Sequence, residues 1–258
     1  MQDWESQREA WLAALVRITR DAGELILDIY KTDFAVRGKG DQSPVTEADE
    51  RAEALIVPAL QALAPDVPIV AEEAVAGGAV PEVGRLFWLV DPLDGTKEFI
   101  SRNGEFTVNI ALVADGVPVL GVVLAPALGR LYAGDRDRGA WMEDAQGRRP
   151  IHVRAVPEAG LTVVASRSHG DAAALDAFLA GRQVAALANA GSSLKLCLVA
   201  SGEADLYPRL GRTMEWDIAA GHAVLLAAGG SVRDLSGQPL RYGKPGFDNP
   251  HFAAAGAA

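Results

Sequence analysis

The residues best suited to chemistry are two acids that follow an apolar run. Asp91 and Asp94 stand three positions apart in the segment WLVDPLDGT, directly after the strand-like residues 86–90. Carboxylates that converge at a strand end repel each other, and burying them is costly unless a cation neutralises them. Mg²⁺ suits such an open site because it takes hard oxygen ligands and retains waters or substrate phosphate. The segment therefore predicts a magnesium site, against the alternative that both acids only form a turn.

Further acids stand where an apolar segment ends or a helix begins. Glu72 and Glu73 directly follow a short apolar run, and Asp217 opens a helix-like segment of small residues. Asp49 lies three positions after Thr46, the spacing of a helix-capping pair. Each acid alone also has an ordinary interpretation as a solvated charge or a helix cap. Together they strengthen the metal-site hypothesis.

These segments resemble a known family. Residues 91–96, DPLDGT, and residues 216–221, WDIAAG, match the two signatures of the inositol-monophosphatase-like family of magnesium-dependent, lithium-sensitive phosphatases. The glutamates at 72–73 and the segment 45–49 fit the same pattern, so the resemblance covers most of the chain. Three stretches look most similar to the bacterial 3′(2′),5′-bisphosphate nucleotidase branch of the family: residues 91–110, 166–169 and 207–217.

The resemblance implies a cluster of two Mg²⁺ ions and a catalytic set. Its metal ligands would be Glu72, Asp91, the carbonyl of Leu93, Asp94 and Asp217. Asp91 would bridge the ions, with Glu72 and Leu93 on one ion and the two remaining acids on the other. Thr96 and Asp49 would orient a metal-bound water as the nucleophile, and Asp49 would support a weaker third Mg²⁺. Asp94 is counted with Thr96 and Asp49 as catalytic.

The same resemblance suggests the substrate contacts. Backbone N–H groups at Gly95 and Thr96 would bind phosphoryl oxygens if they open a helix. A second anionic group needs partners outside the metal cluster, and the candidates are Lys195, Arg209, Ser166, Arg167, Ser168 and His169, with Asp217. Arg209 stands where inositol-specific relatives look as though they carry an acid. An arginine there favours an anionic substrate, 3′-phosphoadenosine 5′-phosphate, although an isolated Lys or Arg is usually a solvated surface charge.

Several alternatives stay open at the level of sequence. The sulfated relative 3′-phosphoadenosine 5′-phosphosulfate is a second candidate substrate. Inositol 1-phosphate, histidinol phosphate and fructose 1,6-bisphosphate would keep the enzyme class and change the substrate. A non-catalytic sensor of phosphorylated ligands is a different class, but it could dispense with the acids and with Thr96.

Composition excludes other classes of partner. The 258 residues carry 24 basic and 34 acidic side chains, and this net charge of -10 opposes binding to nucleic acid. No apolar run approaches the roughly 20 residues of a membrane span, and the first nine residues lack a signal sequence, so a cytoplasmic location is expected. Cys197 is the only cysteine, which excludes an internal disulfide. The chain could be a monomer or a homodimer.

Two helices are predicted ahead of the acidic segment. Apolar residues recur three or four apart over residues 4–29, which predicts a long helix with one buried stripe. Thr46 and Asp49 predict the start of a second helix that runs through Leu63. Pro58 is expected to kink or shorten that helix.

Beyond residue 65 the pattern changes to short strands. Strands are predicted at residues 69–71, 86–90, 106–113 and 117–124, with a hairpin at Asp115-Gly116. After residue 150, strand-like and helix-like segments alternate, and a last helix over 217–228 is expected to stop at Gly229. These elements indicate an α/β (α+β) fold, and the resemblance implies a layered αβαβα sandwich of the inositol-monophosphatase and fructose-1,6-bisphosphatase type. The predicted boundary divides an N-terminal half, 1–150, from a C-terminal half, 151–258.

Overall fold

The chain begins with a pair of packed helices. A computed structural model describes residues 4–38, 44–166 and 172–256. Helices α1 (Trp4–Tyr30) and α2 (Glu47–Leu63) contact each other, and a short antiparallel pair of strands, β1 (Val36–Gly38) and β2 (Pro44–Thr46), lies between them in the chain. The predicted apolar stripe of α1 is buried.

The start of α2 is confirmed; of the two effects expected of Pro58, the shortening is wrong and the kink stays a prediction. Thr46 accepts a hydrogen bond from the backbone of the first turn, and Asp49 Oδ2 accepts one from Thr46 N at 2.8 Å. The helix is not shortened, because it continues through Pro58 to its predicted end. Ile56 and Leu60, on either side of the proline, are fully buried. Their packing holds the turn although one backbone donor is missing.

The strands of the first half form one sheet, called here the large sheet. Seven strands of the described residues follow each other in it in chain order: β3 (Ile69–Ala71), β4 (Leu86–Asp94), β5 (Thr107–Ala114), β6 (Val117–Ala125), β7 (Arg130–Asp135), β8 (Gly139–Asp144) and β9 (Gly147–Ile151). β3 pairs with β4 in parallel, and the later neighbours are antiparallel. The predicted hairpin joins β5 to β6, and its two residues, Asp115 and Gly116, have φ angles of 52° and 73°.

The second half forms a smaller mixed sheet and the remaining helices. Its strands are β10 (Leu161–Ser166), β11 (Val184–Ala190), β12 (Leu206–Arg209), β13 (Ser231–Asp234) and β14 (Phe252–Ala255), in the spatial order β11-β10-β12-β14-β13. The shorter helices of the chain are α3 (Glu72–Ala76), α4 (Thr96–Ile100), α5 (Ala172–Leu179) and α6 (Leu194–Ala200), and α7 (Glu215–Ala227) follows β12. Gly229 ends the last helix with a φ of 92°, as predicted.

The layers follow from the helix contacts. α1 and α2 pack on one face of the large sheet, and α7 packs against β4 to β7 of the same sheet. α6 contacts α7 and also the strands β10, β12 and β14 of the small sheet, so α6 and α7 lie between the sheets. This arrangement confirms the predicted layered α/β fold.

Small residues allow α7 to approach the large sheet closely. A Cβ at Gly121 of β6 would clash with the carbonyl oxygen of Ala220 and lie 2.7 Å from Ala223 Cβ. A Cβ at Gly134 of β7 would lie 2.7 Å from Val224 Cα. The backbone of α7 therefore rests directly on two strands, which fixes the position of its first turn.

The chain passes from the large sheet to the small sheet between Ile151, the last residue of β9, and Leu161, the first residue of β10. One hydrophobic cluster nevertheless includes residues of both sheets, among them Val123 of β6 and Val164 of β10. The division into two halves near residue 150 stays a prediction. Within the described ranges, no helix combines the length and the apolarity that crossing a bilayer requires.

The close contact between α7 and β6 can be tested at Gly121. We expect Gly121→Ala to lower the free energy of unfolding by about 1–3 kcal/mol, because the added methyl group overpacks the contact with α7. Denaturant unfolding measures the change. Gly84→Ala is the matched control, since a Cβ at Gly84 meets no atom within 4 Å. Equal stability of the two variants would contradict the close contact.

Candidate active site

The acids of the DPLDGT segment lie at a break in the large sheet. β4 pairs with β5 at Asp91 and Asn109 and again at Asp94 and Thr107, so two residues of β4 face one residue of β5. Such a bulge bends the strand and redirects its side chains. Asp91, which is 1% exposed, accepts a hydrogen bond on Oδ1 from Leu93 N at 3.0 Å. The bulge therefore places both acids at one end of the strand.

Gly95 makes the turn from β4 into α4. Its φ of 91° lies in the left-handed region, and a Cβ there would stand 3.3 Å from both the carbonyl oxygen of Glu105 and Ser192 Cβ. Glycine is the residue that adopts this conformation without steric cost. Thr96 is then the first residue of α4, as the sequence predicted for a helix opened at this point.

Asp49 caps its helix, as one interpretation of the sequence predicted, and it also contacts Thr96. It is 1% exposed, and its Oδ2 accepts hydrogen bonds from Thr46 N at 2.8 Å and Thr46 Oγ1 at 2.7 Å. Its Oδ1 accepts a hydrogen bond from Thr96 Oγ1 at 3.1 Å. Asp49 thus caps α2 and also connects that helix to the DPLDGT turn.

The first turn of α3 is anchored to α2 and places Glu72 at the cavity. Backbone N–H groups of Glu73 and Ala74 donate to the Glu53 carboxylate at 2.7 and 2.8 Å, which anchors the first turn of α3 to α2. Glu72 lines the cavity described below, together with Asp91. The preference for Glu72 over its neighbour as a ligand agrees with this arrangement.

Asp217 lies in the first turn of α7. Its Oδ2 accepts a hydrogen bond from Met214 N at 2.9 Å, which closes the start of the helix. The buried Glu215 in the same turn accepts hydrogen bonds from Gly243 N at 2.7 Å and Lys244 N at 3.0 Å. The turn is therefore held from both sides.

A cavity of about 680 Å³ brings these segments together. It is lined by most of the predicted site residues: Glu72, Asp91, Leu93, Asp94, Gly95, Thr96, Ser166, Lys195, Arg209 and Asp217. Asp49 stands behind Thr96, to which it is hydrogen-bonded. The predicted contacts Arg167, Ser168 and His169 lie outside the described residues.

The pKa values of two of the acids, Asp91 and Asp217, are strongly raised. Burial, followed by the charge of Glu72 and then those of the other two acids, raises the pKa of Asp91 well above its ordinary range. A hydrogen bond with Glu72 acts in the same direction. Burial, followed by the charges of Asp94 and Glu72, raises the pKa of Asp217 well above its ordinary range as well. The N–H of Met214 and the charge of Arg209 oppose the rise at Asp217 only in part.

Asp94 and Lys195 influence each other. Burial raises the pKa of Asp94 to about 6, although the Lys195 ammonium and a backbone N–H bond from Ser193 oppose the rise. Burial in turn lowers the pKa of Lys195 to about 8, which Asp94 opposes. Lys195 is only 3% exposed, so its interpretation as a solvated surface charge is wrong. Its Nζ donates to the carbonyl oxygens of Ser192 at 2.6 Å and Ala190 at 3.2 Å.

The donor set fits a hard divalent cation such as Mg²⁺. All its side-chain donors are carboxylate oxygens, and burial together with the neighbouring acids raises the pKa of Asp91, so a bound cation would supply the positive charge that this cluster needs. Over the described part of the chain, no three Asp, Glu, His or Cys side chains already form a closed ligand set. The acids converge on one cavity without a finished coordination sphere, and the ligand assignments stay predictions.

Arg209 presents a donor beside the acids. Its NH2 group donates to the carbonyl oxygen of Arg212 at 2.9 Å. Its Nε is buried and has no hydrogen-bond partner among the described residues. A buried N–H without a partner is costly, so a ligand oxygen in the cavity would satisfy it.

Comparison with known proteins identifies the family. A model of the inositol monophosphatase family matches residues 7–256. The chain belongs to the inositol monophosphatase family. It is 48% identical over 245 residues to the 3′(2′),5′-bisphosphate nucleotidase CysQ of Shigella flexneri and, equally, to that of Escherichia coli K12, covering 93% of this chain and 98% of each relative. The crystal structure of CysQ from Bacteroides thetaiotaomicron has a TM-score of 0.80 at 38% identity, covering 96% of this chain and 97% of that one.

This membership confirms the family resemblance seen in the sequence. Several cavity residues of this family member were nevertheless missed. Arg212, Thr213 and Ser193 line the cavity, and the exposed Arg212 pairs with Asp248 at 2.6 Å. The spacing of these residues in the sequence does not indicate a site. The contact between Arg212 and Asp248 forms because the pairing of β12 with β14 brings the end of the chain to this loop.

Two residues outside the site are buried. Cys197 is fully buried, as expected, and burial raises the pKa of its thiol. His222 is 3% exposed, and its Nδ1 lies 2.8 Å from Tyr242 Oη. Burial lowers the pKa of His222 to about 3, so it remains neutral.

The perturbed acids predict a pH dependence for the metal-free protein. Since the pKa values of Asp91, Asp94 and Asp217 are higher in the folded chain than in the unfolded chain, the folded state binds protons more readily. We therefore expect these three carboxyl groups to add stability in EDTA, on the order of 1 kcal/mol, as the pH falls from 7 toward 5, while the lowered pKa of His222 acts in the opposite direction.

Denaturant unfolding at several pH values measures this change. Asp217→Asn should reduce the dependence, because it removes one of the raised carboxyl groups. Asp66→Asn, at an exposed turn residue, should leave it unchanged. Because His222 is present in both proteins, the difference in pH dependence between wild type and Asp217→Asn isolates the contribution of the carboxyl group. The same pH dependence in both proteins would contradict the raised pKa of Asp217.

Proposed function

We propose that the chain is a 3′(2′),5′-bisphosphate nucleotidase that converts 3′-phosphoadenosine 5′-phosphate to AMP and phosphate. The observation that carries the proposal is a single cavity that joins the acidic cluster to Lys195 and Arg209. The acids suit the cations used in phosphate ester hydrolysis, and the basic residues suit a second phosphate. Identity of 46–48% to CysQ nucleotidases over 93% of the chain supports the same substrate class.

Magnesium is the cation we propose for the cluster, with two ions and a weaker third near Asp49. The proposed ligands are oxygen donors of Glu72, Asp91, Leu93, Asp94 and Asp217. Bound magnesium supplies positive charge that stabilises the attacking and leaving oxygens of phosphoryl transfer. Asp91, which feels the charges of Glu72, Asp94 and Asp217, would be the ligand shared by the two ions.

Thr96 and Asp49 orient the attacking water. The Thr96 hydroxyl donates to Asp49 Oδ1 at 3.1 Å, so its oxygen lone pairs remain to accept a hydrogen bond from the water. Asp49 is itself held by the two donors of Thr46. As the water oxygen bonds to phosphorus, the bond from phosphorus to the 3′ oxygen breaks, and AMP leaves as an alkoxide that takes a proton from solvent. The proton of the attacking water moves to Thr96 Oγ1 while the Thr96 proton moves to Asp49.

Lys195 and Arg209 bind the phosphate that does not react. The buried Nε of Arg209 needs an acceptor, and a phosphate oxygen is a strong one. Lys195 directs two of its donors to backbone carbonyls, which fixes the ammonium at the edge of the cavity. A neutral polyol ring offers no charge to match these groups, so inositol 1-phosphate is the less suitable substrate. Ser166 lines the same cavity, and the contacts proposed for Arg167, Ser168 and His169 remain predictions.

The catalytic assignment predicts the effect of Asp94→Asn. We expect kcat for 3′-phosphoadenosine 5′-phosphate to fall by at least about 100-fold, because the variant loses a charged ligand of the cluster. Phosphate release with excess Mg²⁺ measures the rate, and circular dichroism verifies the fold. Asp66→Asn is the matched control on an exposed aspartate. Unaltered phosphate release by Asp94→Asn would contradict the assignment.

The substrate assignment predicts a selective effect of Arg209→Ala. We expect KM for 3′-phosphoadenosine 5′-phosphate to rise roughly tenfold, because a charged hydrogen bond to the second phosphate is lost. KM for adenosine 3′-monophosphate, which lacks that phosphate, should change little. An equal rise for both substrates would contradict the proposed contact.

A panel of substrates tests the proposed activity as a whole. Wild-type kcat/KM should be highest for 3′-phosphoadenosine 5′-phosphate among that compound, inositol 1-phosphate, histidinol phosphate and fructose 1,6-bisphosphate. A higher value for any of the other three would overturn the nucleotidase proposal. Binding without turnover of every compound would instead favour a sensor.

A further inference from the structure

A buried polar cluster lies directly behind Asp94. Ser193, Asn109 and Thr107 are 2%, 0% and 0% exposed. Asn109 and Thr107 belong to β5 of the large sheet, whereas Ser193 precedes α6 in the second half of the chain. None of the three was among the site residues predicted from the sequence. Buried polar side chains of this kind are retained when their hydrogen bonds are satisfied.

The cluster is a connected set of hydrogen bonds that ends on one oxygen of Asp94. Ser193 N donates to Asp94 Oδ2 at 2.5 Å, and Asn109 Nδ2 approaches the same oxygen at 3.5 Å. The Ser193 hydroxyl donates to Asn109 Oδ1 at 2.8 Å. Thr107 Oγ1 lies 3.3 Å from Ser193 Oγ and completes the set as the donor to that hydroxyl.

The Asp94 carboxylate and the Ser193 hydroxyl together determine which way the Asn109 amide faces. An amide has an accepting oxygen and a donating NH2 group, and the two can exchange places by rotation. Because the hydroxyl donates its proton to Oδ1, the NH2 group of Asn109 is directed toward the Asp94 carboxylate. The reversed amide would place its oxygen against a carboxylate oxygen, and these two acceptors repel.

These hydrogen bonds hold the Asp94 carboxylate through only one of its two oxygens. Within the described residues, the hydrogen bonds to Asp94 from Ser193 and Asn109 both end on Oδ2. Oδ1 receives neither of them, and Asp94 lines the cavity. A second contact fixes the same loop, since Gly191 N donates to Glu105 Oε2 at 2.8 Å.

We propose that Ser193 and Asn109 are positioning residues that hold the Asp94 carboxylate in the orientation required to bind Mg²⁺. The inference rests on the proposed role of Asp94 as a metal ligand. Neither side chain is assigned a contact with substrate, because the Ser193 hydroxyl is directed to Asn109. The two halves of the chain thereby build one ligand together, since the first supplies Asp94 and the second supplies the donor that orients it.

Magnesium titration calorimetry on EDTA-stripped protein tests the proposal without substrate. Ser193→Ala keeps the backbone donor and removes the hydroxyl, and we expect it to raise the Kd for Mg²⁺ roughly tenfold. The Mg²⁺ concentration that gives half-maximal phosphate release should rise in parallel, while KM for 3′-phosphoadenosine 5′-phosphate at saturating Mg²⁺ stays close to wild type. Ser193→Thr, which retains the hydroxyl, should restore Mg²⁺ affinity to within about twofold of wild type.

Two further variants keep the test decisive. Ser201→Ala, which removes a hydroxyl at the other end of α6, should leave Mg²⁺ binding unchanged. Asn109→Leu, of similar size but without the amide, should weaken Mg²⁺ binding as Ser193→Ala does. Wild-type Mg²⁺ affinity in Ser193→Ala would overturn the proposal. The proposal would also be overturned if Ser193→Ala lost Mg²⁺ affinity and substrate affinity equally and melted at a lower temperature. That pattern would indicate a general structural role.

Asp94→Asn separates this inference from the proposed function. If this variant loses Mg²⁺ affinity in calorimetry and Ser193→Ala shares the effect, the positioning role stands whatever substrate the enzyme prefers. If Asp94→Asn binds Mg²⁺ as wild type does, the premise fails and the positioning role falls with it. A wild-type enzyme that binds Mg²⁺ through Asp94 and hydrolyses no bisphosphate nucleotide would overturn only the proposed function.

Discussion

The carboxylates of Glu72, Asp91 and Asp217 repel one another in a place where burial removes the water that would screen them. A fold tolerates such an arrangement when positive charge is supplied, by protons in the metal-free protein or by cations when they bind. The nearby Lys195 ammonium supplies part of that charge to Asp94. The acids are thus kept together at a cost in stability that serves the chemistry of the cavity.

A backbone N–H group donates a hydrogen bond to each of three of the acids. Asp91 accepts a backbone N–H on Oδ1 from Leu93, and Asp217 accepts one on Oδ2 from Met214. Asp94 accepts the N–H of Ser193 on Oδ2. Each bond orients a carboxylate by one oxygen. The bulge in β4 and the close packing of α7 on the large sheet determine where these backbone donors stand.

The local structure around the acids could be predicted from the sequence, because a turn or a helix cap depends on residues that are close together in the chain. The capping pair Thr46 and Asp49 and the turn around Gly95 are of this kind. Pro58 does not shorten α2, because burial on both sides outweighs its local preference. Ser193 was missed because its role depends on contact with β5, which lies more than eighty residues earlier in the chain. Pairings of that range are set by the packing of the two sheets and leave no local pattern.

Proton release on magnesium binding tests the central claim most directly. Calorimetric titration of the metal-free protein with Mg²⁺ near pH 6, in two buffers with different enthalpies of ionisation, counts the protons released for each ion bound. If the acids are held together by shared protons that the cations replace, protons are released near pH 6 and fewer are released as the pH rises toward 8. Mg²⁺ binding without proton release at either pH, or no binding at all, would contradict the account.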